Sequence, residues 1–351
     1  MQVKSSRRGG FRRSTVLLSL ALVTIVASSC LIAPTTSIAP YLTYDIPDPA
    51  MYQFFSAAAV WGTSTCETKK QPPTYNCGSN LPNVNIPSYD VFFTGNQAPE
   101  WNGDALPTLP QKYDGYKTQA TWAPSVRLID GQWVMVYSQW FDNSAQANCI
   151  GWATAPPLGT TFTPQTTVPF CSGNTTHGYL DPSIFIDSNT GTPYLLWSEE
   201  WSGGSTLWIQ PLAANGLSVV TSDSAEPLLT FSEATTMKGY CTCDEGNNPQ
   251  VENPSMTVDD DNSYDLTFSL GTWNESSDYI TGETACGTIY PAPTCSGYVQ
   301  YGSEILGYGS ASVANDGSPA NNYMIWDVLS NGLNRYDEYG ATSEKNCASG
   351  C

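Results

Sequence analysis

Apolar residues in this chain come in short runs, alternating with polar ones or built from β-branched and aromatic side chains, and broken every few residues by Gly, Pro, Asn or Asp. Helical spacing is nearly absent, so the pattern predicts an all-β protein. One segment departs from it. Val16 to Val26 is almost purely apolar; Lys4, Arg7, Arg8, Arg12 and Arg13 precede it, and the small residues Ala27, Ser28, Ser29 and Cys30 follow. That layout predicts a secretory signal peptide within residues 1–33, its cleavage point left open. An uncleaved anchor or a lipid on Cys30 is the weaker reading, because Ser and Thr dilute the run and Ala27 is a poor lipobox residue. Residues 34–351 carry no further membrane-length apolar run and no linker, and are expected to form one domain.

Within that domain one pattern recurs. A small or acidic residue, usually followed by Pro and then Ser or Ala, opens a strand, and a turn and a second strand follow. The copies begin at Pro47, Ala123, Asp181, Asn253 and Gly309, and the prolines Pro49, Pro124, Pro182 and Pro254 stand 75, 58 and 72 residues apart. Equivalent hairpins at this interval predict blades of a propeller, and five copies predict five blades. A sandwich or jelly roll is the alternative, but neither needs such regularity. In a propeller the openings of the innermost strands converge near the axis. Asp48, Asp181 and Glu252 sit at such openings in three repeats, so they are expected to share one pocket.

Three acids on one axis suit glycoside cleavage. One carboxylic acid protonates the leaving oxygen, one carboxylate activates water or attacks the sugar, and a third raises the donor's pKa by like-charge repulsion. Singly each motif is weak, since Asp-Pro is an ordinary turn dipeptide. Their joint placement in three repeats carries the argument.

The set PDP at 47–49, WAPS at 122–125, LDPSIFID at 180–187 and VENPSM at 251–256 resembles glycoside hydrolase family 43. The resemblance spans essentially the whole domain. It implies a five-bladed β-propeller acting with inversion on arabinose- and xylose-containing polysaccharides, as an exo-acting α-L-arabinofuranosidase or β-xylosidase. An endo-arabinanase and a catalytically silent sugar-binding propeller are the alternatives. Carried over by position, the resemblance makes Asp48 the general base, Asp181 the pKa-tuning carboxylate and Glu252 the general acid. It makes Trp122 a sugar-stacking surface, which could equally be a core aromatic between blades, and Arg335 a substrate-binding residue. Two departures stand out: Asn253 follows the acidic Glu where Gly or Ala is commoner, and Trp326 and Asp327 stand where many members have a histidine that helps hold a central metal. No cofactor is therefore expected to be required, and a structural calcium is disfavoured though still open.

Charge and cysteines refine this picture. Without the five basic residues of the leader, eight Lys and Arg face 32 Asp and Glu, a formal charge of −24. Such a surface repels phosphate backbones and anionic lipids, leaving neutral saccharides as the expected partners, with the protein acting as a monomer. Ten cysteines besides Cys30, an even number, suggest disulfides in an exported chain. Spacing favours Cys66–Cys77, Cys149–Cys171 and Cys286–Cys295, and leaves Cys241, Cys243, Cys347 and Cys351 open. Cys241-Thr-Cys243 has the wrong spacing for zinc. His177, the sole histidine, reads as structural or exposed, and Asp130, Asp187, Asp259, Asp260 and Asp261 read as turn residues. Asn174 and Asn274 lie in glycosylation sequons.

Overall fold

The structure, a computed structural model, describes residues 48–54, 57–62, 87–92, 100–107, 118–141, 148–157, 159–166, 169–236, 249–258, 262–272, 279–300, 308–314, 322–330 and 334–342. The predicted signal peptide, Cys30, Cys66, Cys77, Cys241, Cys243, Cys347, Cys351, Asn274 and the acids at 259–261 lie outside them.

Five antiparallel sheets follow one another along the chain. The first is β1 (Ala50–Phe54), β2 (Ala57–Trp61), β3 (Pro87–Phe92) and β4 (Glu100–Asp104). The second is β5 (Thr118–Ile129), β6 (Gln132–Phe141), β7 (Asn148–Ala155) and β8 (Thr163–Pro164), with β9 (Phe170–Cys171) on the edge of β7. The third runs β10 (Gly178–Ile186), β11 (Pro193–Trp201), β12 (Gly204–Pro211) and β13 (Glu226–Thr230). The fourth is β14 (Gln250–Val258), β15 (Tyr264–Gly271), β16 (Ile280–Cys286) and β17 (Cys295–Gln300). The fifth is β18 (Tyr308–Ala314), β19 (Asn322–Ser330) and β20 (Asn334–Thr342). The first strand of each sheet touches that of the next, β1 to β5, β10, β14 and β18, and β18 touches β1 again. This is the five-bladed β-propeller that the repeats predicted.

The period of two explains where the core lies. On β6, Trp133, Met135 and Tyr137 join Trp61, Leu106 and Phe162 in a cluster between the first two blades. Their alternate neighbours Val134 and Val136 join Ile184, Leu195 and Trp197 between the second and third. Phe185, Leu196 and Leu207 meet Val251, Met256 and Phe268 between the third and fourth. Both faces of a blade are thus buried, and the apolar material sits between sheets.

Serine hydroxyls stitch these interfaces where backbone groups leave their own ladder. Ser138 Oγ accepts from the Asp181 N–H (2.8 Å), and Ser125 Oγ accepts from Ile184 N–H (3.0 Å). Ser205 Oγ accepts from Val251 N–H (2.6 Å), and Ser198 Oγ donates to the Val251 carbonyl (3.0 Å). Ser138 and Ser198 are fully buried at matching places in neighbouring blades, so β10 and β14 are each held by the blade before them.

Two predicted disulfides are present. Cys149–Cys171 ties β7 to β9, and Cys286–Cys295 ties β16 to β17. The turn assignments hold where they are described. Asp130 and Gly131, both at positive φ, form the two-residue connection between β5 and β6. Asp187 accepts from Asn189 N–H and the Thr190 hydroxyl within its own turn, and also from the Tyr264 hydroxyl across the blade interface.

Candidate active site

Four residues that precede the repeat prolines share an unusual backbone: φ is 53° at Asp48, 46° at Ala123, 50° at Asp181 and 53° at Asn253. The strand ladder breaks at three of these points. Pairing skips from Trp122 to Ser125, from Leu180 to Ser183 and from Glu252 to Ser255. Proline has no N–H to offer the ladder and crowds the residue before it, so the pair bulges out and its side chains are re-aimed. Holding a non-glycine residue there costs roughly 1–2 kcal/mol, and such strain gathers at functional sites.

This geometry corrects one detail of the sequence reading. The proline motifs do not open their strands; in blades two to four they lie inside β5, β10 and β14. The position equivalent to Asp48 and Asp181 is held by Ala123 and Asn253. Glu252 and Trp122 each stand one residue earlier, before the bulge.

The bulges nonetheless bring the acids together. Asp48, Ala123, Asp181 and Asn253, with their prolines and Arg127, line an axial cavity of about 30 Å³, enough for ordered water. Beside it, the carboxylates of Asp181, Glu252 and Glu200 have oxygens all within 4.8 Å of one another. Asp48 stands outside that close group but is near enough for its charge to act on both Asp181 and Glu200.

Each acid has its own surroundings. Asp181 is buried; its carboxyl is pushed well above the usual carboxylate range by burial first, then by the charges of Glu252, Asp48 and Glu200. The Asn253 backbone N–H donates to it and opposes the rise. Glu252 is buried, and the Tyr279 hydroxyl donates to its Oε1 at 2.7 Å. That hydroxyl in turn accepts from Asn253 Nδ2 at 3.3 Å, so the Asn at this departure from the family's commoner residue is tied to the acid through one tyrosine. Tyr279 is buried beside β16, and no motif pointed to it.

Glu200 was also missed. It lies at the inner end of β11, opposite Gly178 of β10, with no proline to mark it. Burial raises its carboxyl well above the usual range, and the adjacent Glu252 raises it further, while the Ser198 hydroxyl, whose single proton is shared between Oε1 (3.3 Å) and the Val251 carbonyl (3.0 Å), lowers it. The pleat sends its neighbour Glu199 the other way, to accept from the Ser172 hydroxyl (2.9 Å) and meet His177 Nδ1 (3.0 Å). His177 also stacks on Trp201, with ring centroids 4.9 Å apart. The lone histidine is thus held in a structural contact.

Trp122 is half-buried at the lip of the blade-two bulge. Arg335 pairs through its backbone with Leu329 on the third strand of blade five; its side chain, like those of Trp326 and Asp327, lies outside the described residues.

The comparisons agree with this architecture. The family model of glycosyl hydrolases family 43 matches residues 101–279. A thermostable family-43 glycoside hydrolase superposes with a TM-score of 0.63 at 18% identity, over 88% of this chain and 92% of that one. An endo-arabinase from Bacteroides thetaiotaomicron gives 0.60 at 17%, over 88% and 97%. An exo-β-1,3-galactanase from Phanerochaete chrysosporium gives 0.56 at 16%, over 89% of this chain and 63% of that one. No curated protein sequence matches. With the family model covering just over half of its residues, this chain belongs to glycosyl hydrolases family 43 and is a glycoside hydrolase.

Proposed function

We propose that the enzyme cleaves a neutral arabinose- or xylose-containing polysaccharide or oligosaccharide with inversion, as an exo-acting α-L-arabinofuranosidase or β-xylosidase. The observation that carries this is the division of the acids: Asp181, Glu200 and Glu252 crowd within 4.8 Å, while Asp48, which lines the axial cavity together with Asp181, stands outside that group. Inversion needs such a division, because a base about 6.5–9.5 Å from the acid leaves room for water. Asp48 takes a proton from water as the water oxygen bonds to the anomeric carbon. The glycosidic bond breaks on the opposite face, and Glu252 passes its proton to the leaving oxygen. Asp181, within 4.8 Å of Glu252, tunes the acid's pKa and accepts from the Asn253 backbone N–H beside it. The two disulfides fit an oxidising compartment, and with the leader they support secretion.

A second reading, endo-arabinanase, is favoured by the superposition that covers 97% of the Bacteroides endo-arabinase. The test is hydrolysis of p-nitrophenyl α-L-arabinofuranoside and β-xyloside, arabinan, arabinoxylan and β-1,3-galactan by the wild type, Glu252→Gln and Asp48→Asn. Monomer release from arabinan or arabinoxylan with inverted anomeric configuration by proton NMR, falling at least a hundredfold in both variants, is the expected outcome. Oligomers as first products would favour the endo reading. Retained configuration, or activity undiminished in Glu252→Gln, would remove the proposed roles.

A further inference from the structure

Glu200 matches no motif that the family resemblance rests on, yet it lies against the acid to which the proposed function assigns the proton. The Ser198 hydroxyl donates to it, and its carboxyl oxygen lies within 4.8 Å of those of Glu252 and Asp181. The nearest imidazole, His177, is engaged by Glu199, which leaves β11 on the opposite side. Around Glu200 stand Asp48 before β1, Asp181 on β10 and Glu252 on β14; on the far side of Glu252 lies the Tyr279 hydroxyl. Every ionisable group in this set is acidic. Carboxyls this close in such surroundings cannot all be ionised at modest cost, so the group retains a proton that Glu200 or Glu252 could carry.

We propose that Glu200 is a positioning residue that holds one proton in common with Glu252, and that this pairing, rather than Asp181 alone, keeps the general acid protonated at neutral pH. The inference rests on the reading of Glu252 as the acid. The geometry divides the labour at Glu252. Oε1 accepts from Tyr279, and the carboxyl lies within 4.8 Å of that of Glu200. Ser198 fixes Glu200 from behind while also binding the Val251 carbonyl, so the register of β14 against β11 sets the distance between the two acids. Two consequences follow. The acid ionises in two coupled steps, and its loss of the last proton is delayed by the second carboxylate.

The test uses the full chain labelled with carboxyl-13C glutamate, titrated by NMR as wild type, Glu200→Gln, Glu200→Asp and, to assign the resonance, Glu252→Gln. The pH dependence of kcat/KM is measured in parallel on polysaccharide and on aryl glycoside. Expected is a two-step titration of Glu252 in the wild type and in Glu200→Asp. In Glu200→Gln the steps collapse into one, and the alkaline limb on polysaccharide falls by about two pH units, the shift from removing a charge at this distance in a medium of intermediate dielectric. The aryl glycoside, whose leaving group needs little protonation, keeps its limb. A single-step Glu252 titration in the wild type, or an alkaline limb that stays put or rises in Glu200→Gln, overturns the proposal. If the wild type releases no sugar from any substrate, the functional reading falls, while the NMR titration still decides whether the two carboxyls share a proton.

Discussion

Replacing Tyr279 with Phe tests whether its hydroxyl serves the ionised or the protonated form of Glu252. The hydroxyl donates to Oε1 at 2.7 Å within a buried site. Hydrogen bonds to charged groups contribute about 1.5–3 kcal/mol, and one pKa unit corresponds to 1.36 kcal/mol. A donor aimed at a carboxylate favours its charged form. Removing it therefore favours the protonated acid, and the alkaline limb of kcat/KM on polysaccharide should rise by about one to two pH units. The plateau should fall several-fold, because a weaker acid transfers its proton less readily and Oε1 is no longer fixed. KM should change little, and thermal unfolding should show a loss of about 1–2 kcal/mol from the two hydrogen bonds removed with the hydroxyl. The direction separates this variant from Glu200→Gln, which moves the same limb downward. An unmoved or lowered limb in Tyr279→Phe would refute the assignment of that hydroxyl as a donor to the carboxylate.

The raised carboxyls of Asp181 and Glu200 predict how stability depends on pH. A group whose folded pKa exceeds its unfolded value stabilises fully below the latter, about pH 4, and this contribution is lost as pH rises through the folded value. The melting temperature should therefore be higher in weak acid than at neutral pH, and Asp181→Asn should flatten that slope; an equally steep slope in the variant would refute the attribution. For the disulfides, chain-entropy estimates for the sequence separations of 22 and 9 give about 3 kcal/mol each, slightly more for the longer loop. Denaturant unfolding of Cys149→Ser/Cys171→Ser and Cys286→Ser/Cys295→Ser should show losses of that order; the reasoning fails if either pair costs nothing.

The fold was legible because four of the five blades repeat a proline at a fixed place, where it breaks the ladder next to the axis. That mark located Asp48 and Asp181 directly. It located Glu252 only to within one residue, because the bulge belongs to Asn253 and the acid is the last paired residue before it. Glu200 and Tyr279 carry no such mark. Glu200 arrives through the pairing of β11 with β10, and sequence alone shows two adjacent acids, Glu199 and Glu200, without saying which faces the axis. Strand pairing decides that one meets His177 and the other meets Glu252. Tyr279 precedes β16 by one residue, and its partner lies 27 positions away, beyond any local pattern.

The same bulges link stability to chemistry. Positive φ at Asp48, Ala123, Asp181 and Asn253 stores strain that relaxation of any one strand would release. What opposes that relaxation is the preceding blade: Ser138 holds the Asp181 amide, and Ser198 and Ser205 hold both backbone groups of Val251, next to Glu252. Because the Ser198 proton is shared between the Val251 carbonyl and Glu200, one buried hydroxyl touches both the strained strand of blade four and a carboxyl in blade three. The acid-bearing strand is thus aligned by the neighbouring blade as well as by its own sheet. In this fold, assembly of the blades and assembly of the carboxyl cluster are one event.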